Sequence, residues 1–408
     1  MHTYLSGMTK SLRPRNYALA FICALGTFGL RPCQAQTFTL LHSFTGEGDG
    51  GVPAAGLIMD QAGNLYGTTG EGGYTGGQCS MGFLGCGVVY KLAHKNSQWV
   101  LETIYTFHGS DGQNPGARVI FGPDGALYST TTRGGAYGYG LVFRLAPPAH
   151  VCARISCPWT ETILHSFSGG SDGENPGGDL IFDQAGNIYG TTSNGGGFGS
   201  GVVYELSPSD GGWTESILHS FQENSNDGAA PASGVIFDNA GNLYGTTLLG
   251  GGSDNAGTVY KLTHSASGWT ESILHSFTLA SGCTEPSGGL IFDSAGNLYG
   301  TTLSQLATYE LSPSNGAWIF TILYHFDVAT GSFASMTMDA AGNLYGTLFF
   351  AEQEVSRLTP SDGQWTLTGF NGGPGSIPRG SVTLDASGNI YTTAEEGCGD
   401  GCVFEITP

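Results

Sequence analysis

Charge is scarce in this chain, and basic charge is scarcest. Only 11% of its 408 residues are charged, with 13 Lys and Arg against 33 Asp and Glu, for a net charge of −20. Such a surface repels the phosphates of nucleic acid and anionic lipid, so no nucleic-acid partner is expected. Neutral glycans, cationic partners and Ca²⁺ stay compatible. Long apolar runs are also missing. The longest, residues 17–30, falls short of the ~20 residues a spanning helix needs, so no transmembrane span is expected. After residue 35 no stretch reads as a helix. No His stands at zinc-ligand spacing beside the close Cys pairs, which argues against a zinc site there.

What is abundant is glycine, 69 residues, together with 11% aromatics. The glycines recur at regular places, so the composition does not signal disorder, and the aromatics suffice for a core. The first 35 residues read as a secretory signal: Lys10, Arg13 and Arg15 precede the apolar run, and Cys33-Gln34-Ala35 places small residues where a signal peptidase cuts. The rival, lipidation at Cys33, fits poorly because Arg31-Pro32 makes a weak lipobox. Residues 1–35 hold four basic and no acidic residues, so cleavage before Gln36 takes the net charge to −24. In an exported chain the close pairs Cys79/Cys86, Cys152/Cys157 and Cys398/Cys402 read as local disulfides pinning loops. Cys283 is left over and is expected buried or free.

One unit organises the rest. Leu290-Ile291-Phe292 is an apolar strand expected to be buried on both faces. Asp293-Ser294-Ala295-Gly296-Asn297 is turn chemistry, and Leu298-Tyr299-Gly300-Thr301-Thr302 is a second, antiparallel strand. The unit occurs seven times, with its Tyr at 66, 128, 189, 244, 299, 345 and 391, each followed two residues later by Thr. A third strand follows each unit, such as Gly257-Thr258-Val259-Tyr260-Lys261-Leu262. A fourth starts at Trp, as in Trp269-Thr270-Glu271-Ser272-Ile273-Leu274-His275-Ser276-Phe277, and all six Trp hold this position. Four strands per repeat of roughly 40–50 residues is the pattern of propeller blades.

The seventh repeat stops after its third strand, at Pro408, while Thr39-Leu40-Leu41-His42-Ser43-Phe44 is a stray fourth strand at the other end. The expected fold is therefore an all-β, seven-bladed β-propeller of four-stranded antiparallel blades, residues 36–408, closed by an N-terminal strand that completes the last blade. Blades are expected at about 56–107, 117–167, 179–221, 234–277, 289–326, 335–370, and 381–408 with 37–44. An open solenoid would have no use for this exchange.

Three motifs recur in fixed order: Asp-x-Ala-Gly-Asn-Leu-Tyr-Gly-Thr-Thr, Gly-Thr-Val-Tyr-Lys-Leu and Trp-Thr-Glu-Ser-Ile-Leu-His-Ser-Phe. Over residues 37–408 they resemble the GloVer (Gloeobacter/Verrucomicrobia-type) tandem repeat of exported bacterial choice-of-anchor proteins. A weaker likeness links the hairpin to NHL-type propellers. The resemblance implies export. It carries no assigned activity, so no catalytic residue comes with it. Proteins of that family often carry a C-terminal anchoring segment. This chain ends just after its last third strand, which points to release from the cell.

With strands A to D numbered outward from the axis, B–C and D–A loops share one face and the short A–B turns the other. Variable loops on a rigid ring are where binding resides, and the B–C loops vary most. Tyr74, Phe83, Tyr137, Tyr139 and Phe198 lie in the Gly-rich B–C loops of blades 1–3, where aromatics either stack on sugar rings or pack as loop anchors. At the channel position of strand A the blades carry Gly56, Arg118, Asp179, Gly234, Gly289, Ser335 and Ser381. Arg118 and Asp179 from adjacent blades could form an ion pair at the channel mouth, structural or ligand-binding. Asp49, Asp111, Asp172 and Asp227 recur in successive D–A loops. They read first as turn formers and second as Ca²⁺ ligands. His42, His165, His219 and His275 recur in strand D of separate blades, so each is expected to bond within its blade or to a neighbour. Gly169-Gly170-Ser171-Asp172-Gly173 matches a hydrolase elbow in letters but lacks the helix that an elbow needs.

The sequence thus favours an exported, monomeric, non-catalytic binding or scaffolding module for an extracellular glycan or protein. It needs no cofactor, with Ca²⁺ left open. The alternative is a secreted propeller hydrolase or lyase with its site at the channel mouth.

Overall fold

The computed structural model describes residues 36–80, 84–96, 98–148, 159–223, 227–327, 333–348, 355–370 and 380–408. Phe83, Cys152 and Cys157 lie outside these. Seven antiparallel sheets form the blades of a β-propeller. Among the described residues, helix is confined to the short 3-10 turns Gly77–Ser80 and Leu279–Ser281. Blade 4 is representative, with strand A Ile236–Phe237, B Leu243–Thr247, C Thr258–Ser265 and D Gly268–Ser276. Blade 7 takes Thr383–Leu384, Ile390–Ala394 and Cys402–Thr407 from one end of the chain and Thr37–Ser43 from the other. The N-terminal strand pairs antiparallel with the last strand, from Thr37 opposite Thr407 to Ser43 opposite Cys402. This covers the edge that a three-stranded last blade would leave open.

In the A–B hairpin the Asp is the hub. Asp293 Oδ1 accepts from the backbone N–H groups of Ala295 and Asn297, both at 2.9 Å. Its Oδ2 accepts from Asn297 Nδ2 at 2.8 Å and the Tyr299 hydroxyl at 3.1 Å. Burial alone would raise the Asp293 pKa, but the bonds from Asn297 and Tyr299 outweigh it and hold the carboxyl below its ordinary value. Gly296 supplies the positive φ, +86°, that the turn requires. Blade 2 has Gly122 in place of the hub Asp. There Asp124, two residues on, accepts from Tyr128 at 3.1 Å and pairs with Arg144 at 2.5 Å.

The hairpin Tyr also ties blades together. Tyr244 packs edge-on against Phe292 of strand A (5.1 Å between centroids) and against Trp318 of strand D (6.1 Å) in the next blade. Trp159, Trp269 and Trp365 repeat the contact on Tyr66, Tyr189 and Tyr299, and Trp99 of blade 1 makes it with Tyr391 of blade 7 across the closure. Trp213 packs in the cluster that holds Tyr128. Aromatic pairs of this geometry add roughly 0.5–1.5 kcal/mol beyond area burial. The Thr two residues after the Tyr reaches the next blade as well. Thr191 donates to the Ser233 carbonyl at 2.8 Å and Thr393 to the Ala55 carbonyl at 2.9 Å.

A second tier pairs strand D Phe with the strand C aromatic of the following blade, as in Phe167–Tyr204 (5.1 Å) and Phe221–Tyr260 (5.0 Å). The Tyr hydroxyl lies over the strand B Gly directly opposite it: Gly190 opposite Tyr204, Gly245 opposite Tyr260. A Cβ on either Gly would overlap that hydroxyl. Blade 2 has Ser129 at this place and Phe143 opposite, and blade 7 has Thr392 opposite Phe404, so a side chain enters strand B where the hydroxyl is missing.

Strand A departs from expectation. In blades 1–5 and 7 it is only two residues long, and Ile291 and Phe292 are half-buried rather than covered on both faces. The strands converge on the axis and face the channel, so their inner side has no second sheet to cover it.

Candidate functional site

Two open regions meet the criteria for a site: the central channel, and the loop face around its B–C mouth. The channel is walled by strand A and the residues just before it. On the D–A side it holds a cavity of about 450 Å³ lined by Gly56, Arg118, Asp179, Gly234, Gly289, Ser335 and Ser381 among others. On the A–B side a second cavity of about 770 Å³ is lined by Arg118 with Met59, Thr337, Asp339, Thr383 and Asp385. Arg118 borders both. The small residues follow from crowding at the axis, since a Cβ on Gly234 would overlap the Asp179 backbone and one on Gly56 would overlap Ser381.

Arg118 and Asp179, the two charged residues at this position, do meet. Arg118 Nε lies 3.1 Å from Asp179 Oδ2, and the Arg118 backbone N–H donates to Asp179 Oδ1 at 3.0 Å. Both side chains are more than a third exposed, so the pair is solvent-screened and worth about 0–1 kcal/mol of stability. Among the described channel residues it is the one cation–anion pair, and no imidazole or thiol joins it.

The loop face is different in character. Tyr137 (63% exposed), Phe198 (60%), Tyr74 (43%) and Tyr139 (42%) stand on the B–C loops of three consecutive blades. Tyr74 packs partly on His108, at 4.8 Å between centroids. Tyr139 lies against Gly169 of the adjoining D–A loop. Tyr137 and Phe198 have no ring partner among the described residues. The Cys79–Cys86 disulfide pins the longest of these loops, and Cys398–Cys402 pins its counterpart in blade 7. Cys283 is buried and free.

The four D–A aspartates do not converge. Asp49 accepts from the Thr45 backbone (3.1 Å) and hydroxyl and contacts His42 at 3.1 Å. Asp111 accepts from the His108 N–H at 2.6 Å and the Tyr105 hydroxyl at 2.8 Å. Asp172 accepts from the Ser168 N–H at 2.8 Å and hydroxyl at 2.6 Å. Asp227 takes the Gln222 N–H at 3.0 Å and faces His219 at 3.2 Å. Each carboxylate is thus engaged by its own loop. Strand D His pairs with the Asp of the same repeat in three of the four cases, while His275 stacks flat on Phe320 at 4.1 Å instead.

Sequence reasoning passed over one set of residues. Glu161, Glu215 and Glu271 follow Trp-Thr in strand D, an outer strand where a Glu reads as solvated. Burial, with a nearby carboxylate in each case, raises their pKa values to about 7, 8 and 7. The recurrent Trp-Thr-Glu was the available signal.

The comparisons with known proteins bear on the whole ring. The Gloeobacter/Verrucomicrobia repeat model matches residues 24–214 and 154–354, more than half of the chain. This chain belongs to the Gloeobacter/Verrucomicrobia repeat family. No curated protein matches it. Among solved structures it is similar to virginiamycin B lyase from Staphylococcus aureus, at 15% identity and TM-score 0.60, covering 92% of this chain and 99% of that one. It is also similar to PorZ, a surface component of the type-IX secretion system of Porphyromonas gingivalis. That match has 14% identity and TM-score 0.53, covering 86% of this chain and 46% of that one. At these identities the likeness establishes the propeller fold and nothing finer. The repeat family and the two disulfides are consistent with an exported protein, and no helix among the described residues is long and apolar enough to cross a membrane.

Proposed function

We propose that this repeat-family propeller is an exported, non-catalytic binding module whose B–C and D–A loop face takes a neutral extracellular glycan. The observation that carries this reading is the set of exposed aromatics Tyr74, Tyr137, Tyr139 and Phe198 on the B–C loops of three consecutive blades, in a chain of net charge −20. Flat apolar rings held among Gly and polar groups stack on the C–H faces of sugar rings, and exposed patches of this kind mark recognition surfaces. Two disulfides stiffen loops on that face, which lowers the ordering cost of binding.

Affinity electrophoresis of the purified protein through gels containing soluble neutral polysaccharides tests this. Retardation by at least one polysaccharide is expected, and the Tyr137→Ala/Phe198→Ala double variant should lose at least about tenfold in affinity, the size of two removed stacking contacts. Retention of none, or retention unchanged in the double variant, overturns the proposal.

A channel-mouth lyase or hydrolase is the second reading, favoured by the Arg118–Asp179 pair in the D–A side cavity, with Arg118 also bordering the A–B side cavity. It is less well supported because no imidazole or thiol joins that pair among the described channel residues, and the carboxylates lining the A–B side, Asp339 and Asp385, are engaged as hubs of their own hairpins. Time-resolved product analysis on the same polysaccharides separates the two. Turnover abolished by both Arg118→Ala and Asp179→Ala would replace the binding reading with the enzymatic one.

A further inference from the structure

The seam between blades 2 and 3 gathers three side chains of metal-ligating type, His165, Asp172 and Glu215. His165 Nε2 lies 3.5 Å from Asp172 Oδ2 and 3.6 Å from Glu215 Oε1. All three ligating atoms lie within 4.8 Å of one another. His165 Nε2 and Glu215 Oε1 are shielded from solvent, and neither has a hydrogen-bond partner. Their separations are too long for good hydrogen bonds. They match two donors on one ion, because bonds of about 2.0–2.2 Å at tetrahedral angles put neighbouring donors roughly 3.3–3.6 Å apart.

A β-bulge builds the cluster. In strand D of blade 3 the register shifts between the Val203–His219 and Tyr204–Ile217 pairs, leaving Leu218 as the extra residue. Side chains alternate along a strand, so one inserted residue sends the positions beyond it to the opposite face. Glu215, before the bulge, therefore faces the preceding blade, and His219, beyond it, faces the following one. Blade 2 has the same shift between Val142 and Phe143, which turns His165 toward blade 3 and Glu215. Asp172 comes from the D–A loop of blade 2 and is held by the Ser168 N–H and hydroxyl. The edge of Phe167, 4.7 Å away, fixes the His165 ring.

We propose that His165, Asp172 and Glu215 bind one divalent transition cation of the Zn²⁺ class, a choice that follows from one imidazole and two carboxylates. The ion staples the outer strands of blades 2 and 3 and leaves one coordination position for water or an incoming group. Sibling seams argue for a single site. In the 3–4 seam His219 Nε2 is already committed to both Asp227 oxygens at 3.2 Å, leaving Glu271 apart. In the 1–2 seam the Tyr105 hydroxyl bridges Asp111 (2.8 Å) and Glu161 (3.2 Å). In the 7–1 seam Leu101 stands where the Glu would be, and in the 4–5 seam Phe320 does.

Calorimetric titration of Zn²⁺ into the full chain, first stripped with chelator, tests the site. One tight ion per chain is expected, with a raised melting temperature in the wild type. His165→Gln and Glu215→Gln should each weaken uptake at least about tenfold, and His219→Gln should leave it unchanged. Co²⁺ should give visible bands of a four-coordinate ion that vanish in His165→Gln. The proposal is overturned by any of three results: no saturable uptake, several weak ions insensitive to both variants, or a wild-type melting temperature that Zn²⁺ does not move. The last needs no variant to fold.

Discussion

Each seam between blades has an inner half and an outer half, and they follow different rules. The inner half is nearly the same all round the ring. An Asp hub closes its own hairpin, a Tyr lies between Phe and Trp of the next blade, and a Thr reaches the neighbouring carbonyl. The outer half changes from seam to seam, from Tyr105–Asp111–Glu161, through His165–Asp172–Glu215, to His275 on Phe320. The inner contacts are satisfied largely by the repeat's own letters, so repetition preserves them. The outer contacts join letters that vary from blade to blade, and one substitution changes the chemistry of a whole seam. Sameness marks the scaffold, and difference marks where specific chemistry can arise.

The largest test of that division is at the closure. Deleting residues 37–43 strips the fourth strand from blade 7 and uncovers the edge of Cys402–Thr407. Size-exclusion chromatography should show aggregation or loss of the folded monomer. An unchanged monomer would mean the ring does not depend on the exchange.

A smaller effect sharpens the rule for the second tier. Gly245→Ser should cost about 1–3 kcal/mol in urea unfolding, the usual range for overpacking, because the new side chain meets the Tyr260 hydroxyl. Adding Tyr260→Phe recreates the Ser129–Phe143 pairing of blade 2 and should recover a good part of that loss. Simple additivity of the two changes would remove the hydroxyl as the reason for the Gly.

Smaller still is a pH effect confined to the outer half. Glu161, facing Asp111 and Tyr105, and Glu271, facing Asp227 and His219, have folded pKa values raised by burial to about 7. A carboxyl whose folded pKa is raised holds its proton more tightly in the native state. Its contribution is full below the unfolded value, near 4.5, and is lost as pH rises through about 7. The Glu161→Gln/Glu271→Gln variant should therefore gain melting temperature relative to the wild type as pH rises from 5 to about 7.5, a difference in which the opposing titration of buried His165 and His275 cancels. The inner Asp hubs, such as Asp293, have lowered pKa values, so their contribution is lost only as pH falls below the ordinary carboxylate range.

Most of the ring was legible in the sequence because one hairpin recurs seven times and a stray fourth strand accounts for the incomplete last blade. The Arg118–Asp179 pair was legible because it broke a run of small residues at one register position. The outer clusters were not. The bulge after Glu215 leaves no mark in the letters, yet it decides which seam His219 enters. Period-2 alternation along an outermost strand puts the Glu in solvent, whereas the following blade's Glu in fact packs under the preceding blade's D–A loop. The exchange of Gly for Ser129 with Tyr for Phe143 was visible within the repeats, but its meaning needed the register.

We propose that Tyr137 and Phe198, which have no ring partner among the described residues, are free for a ligand rather than anchors of the ring. The melting temperature of the Tyr137→Ala/Phe198→Ala variant tests it most directly. The claim predicts a midpoint within about 1–2 °C of wild type, as expected for exposed positions that touch no core. A fall of several degrees, of the size expected for truncating an inner-half packing residue such as Trp318, would make these rings structural anchors and contradict the claim.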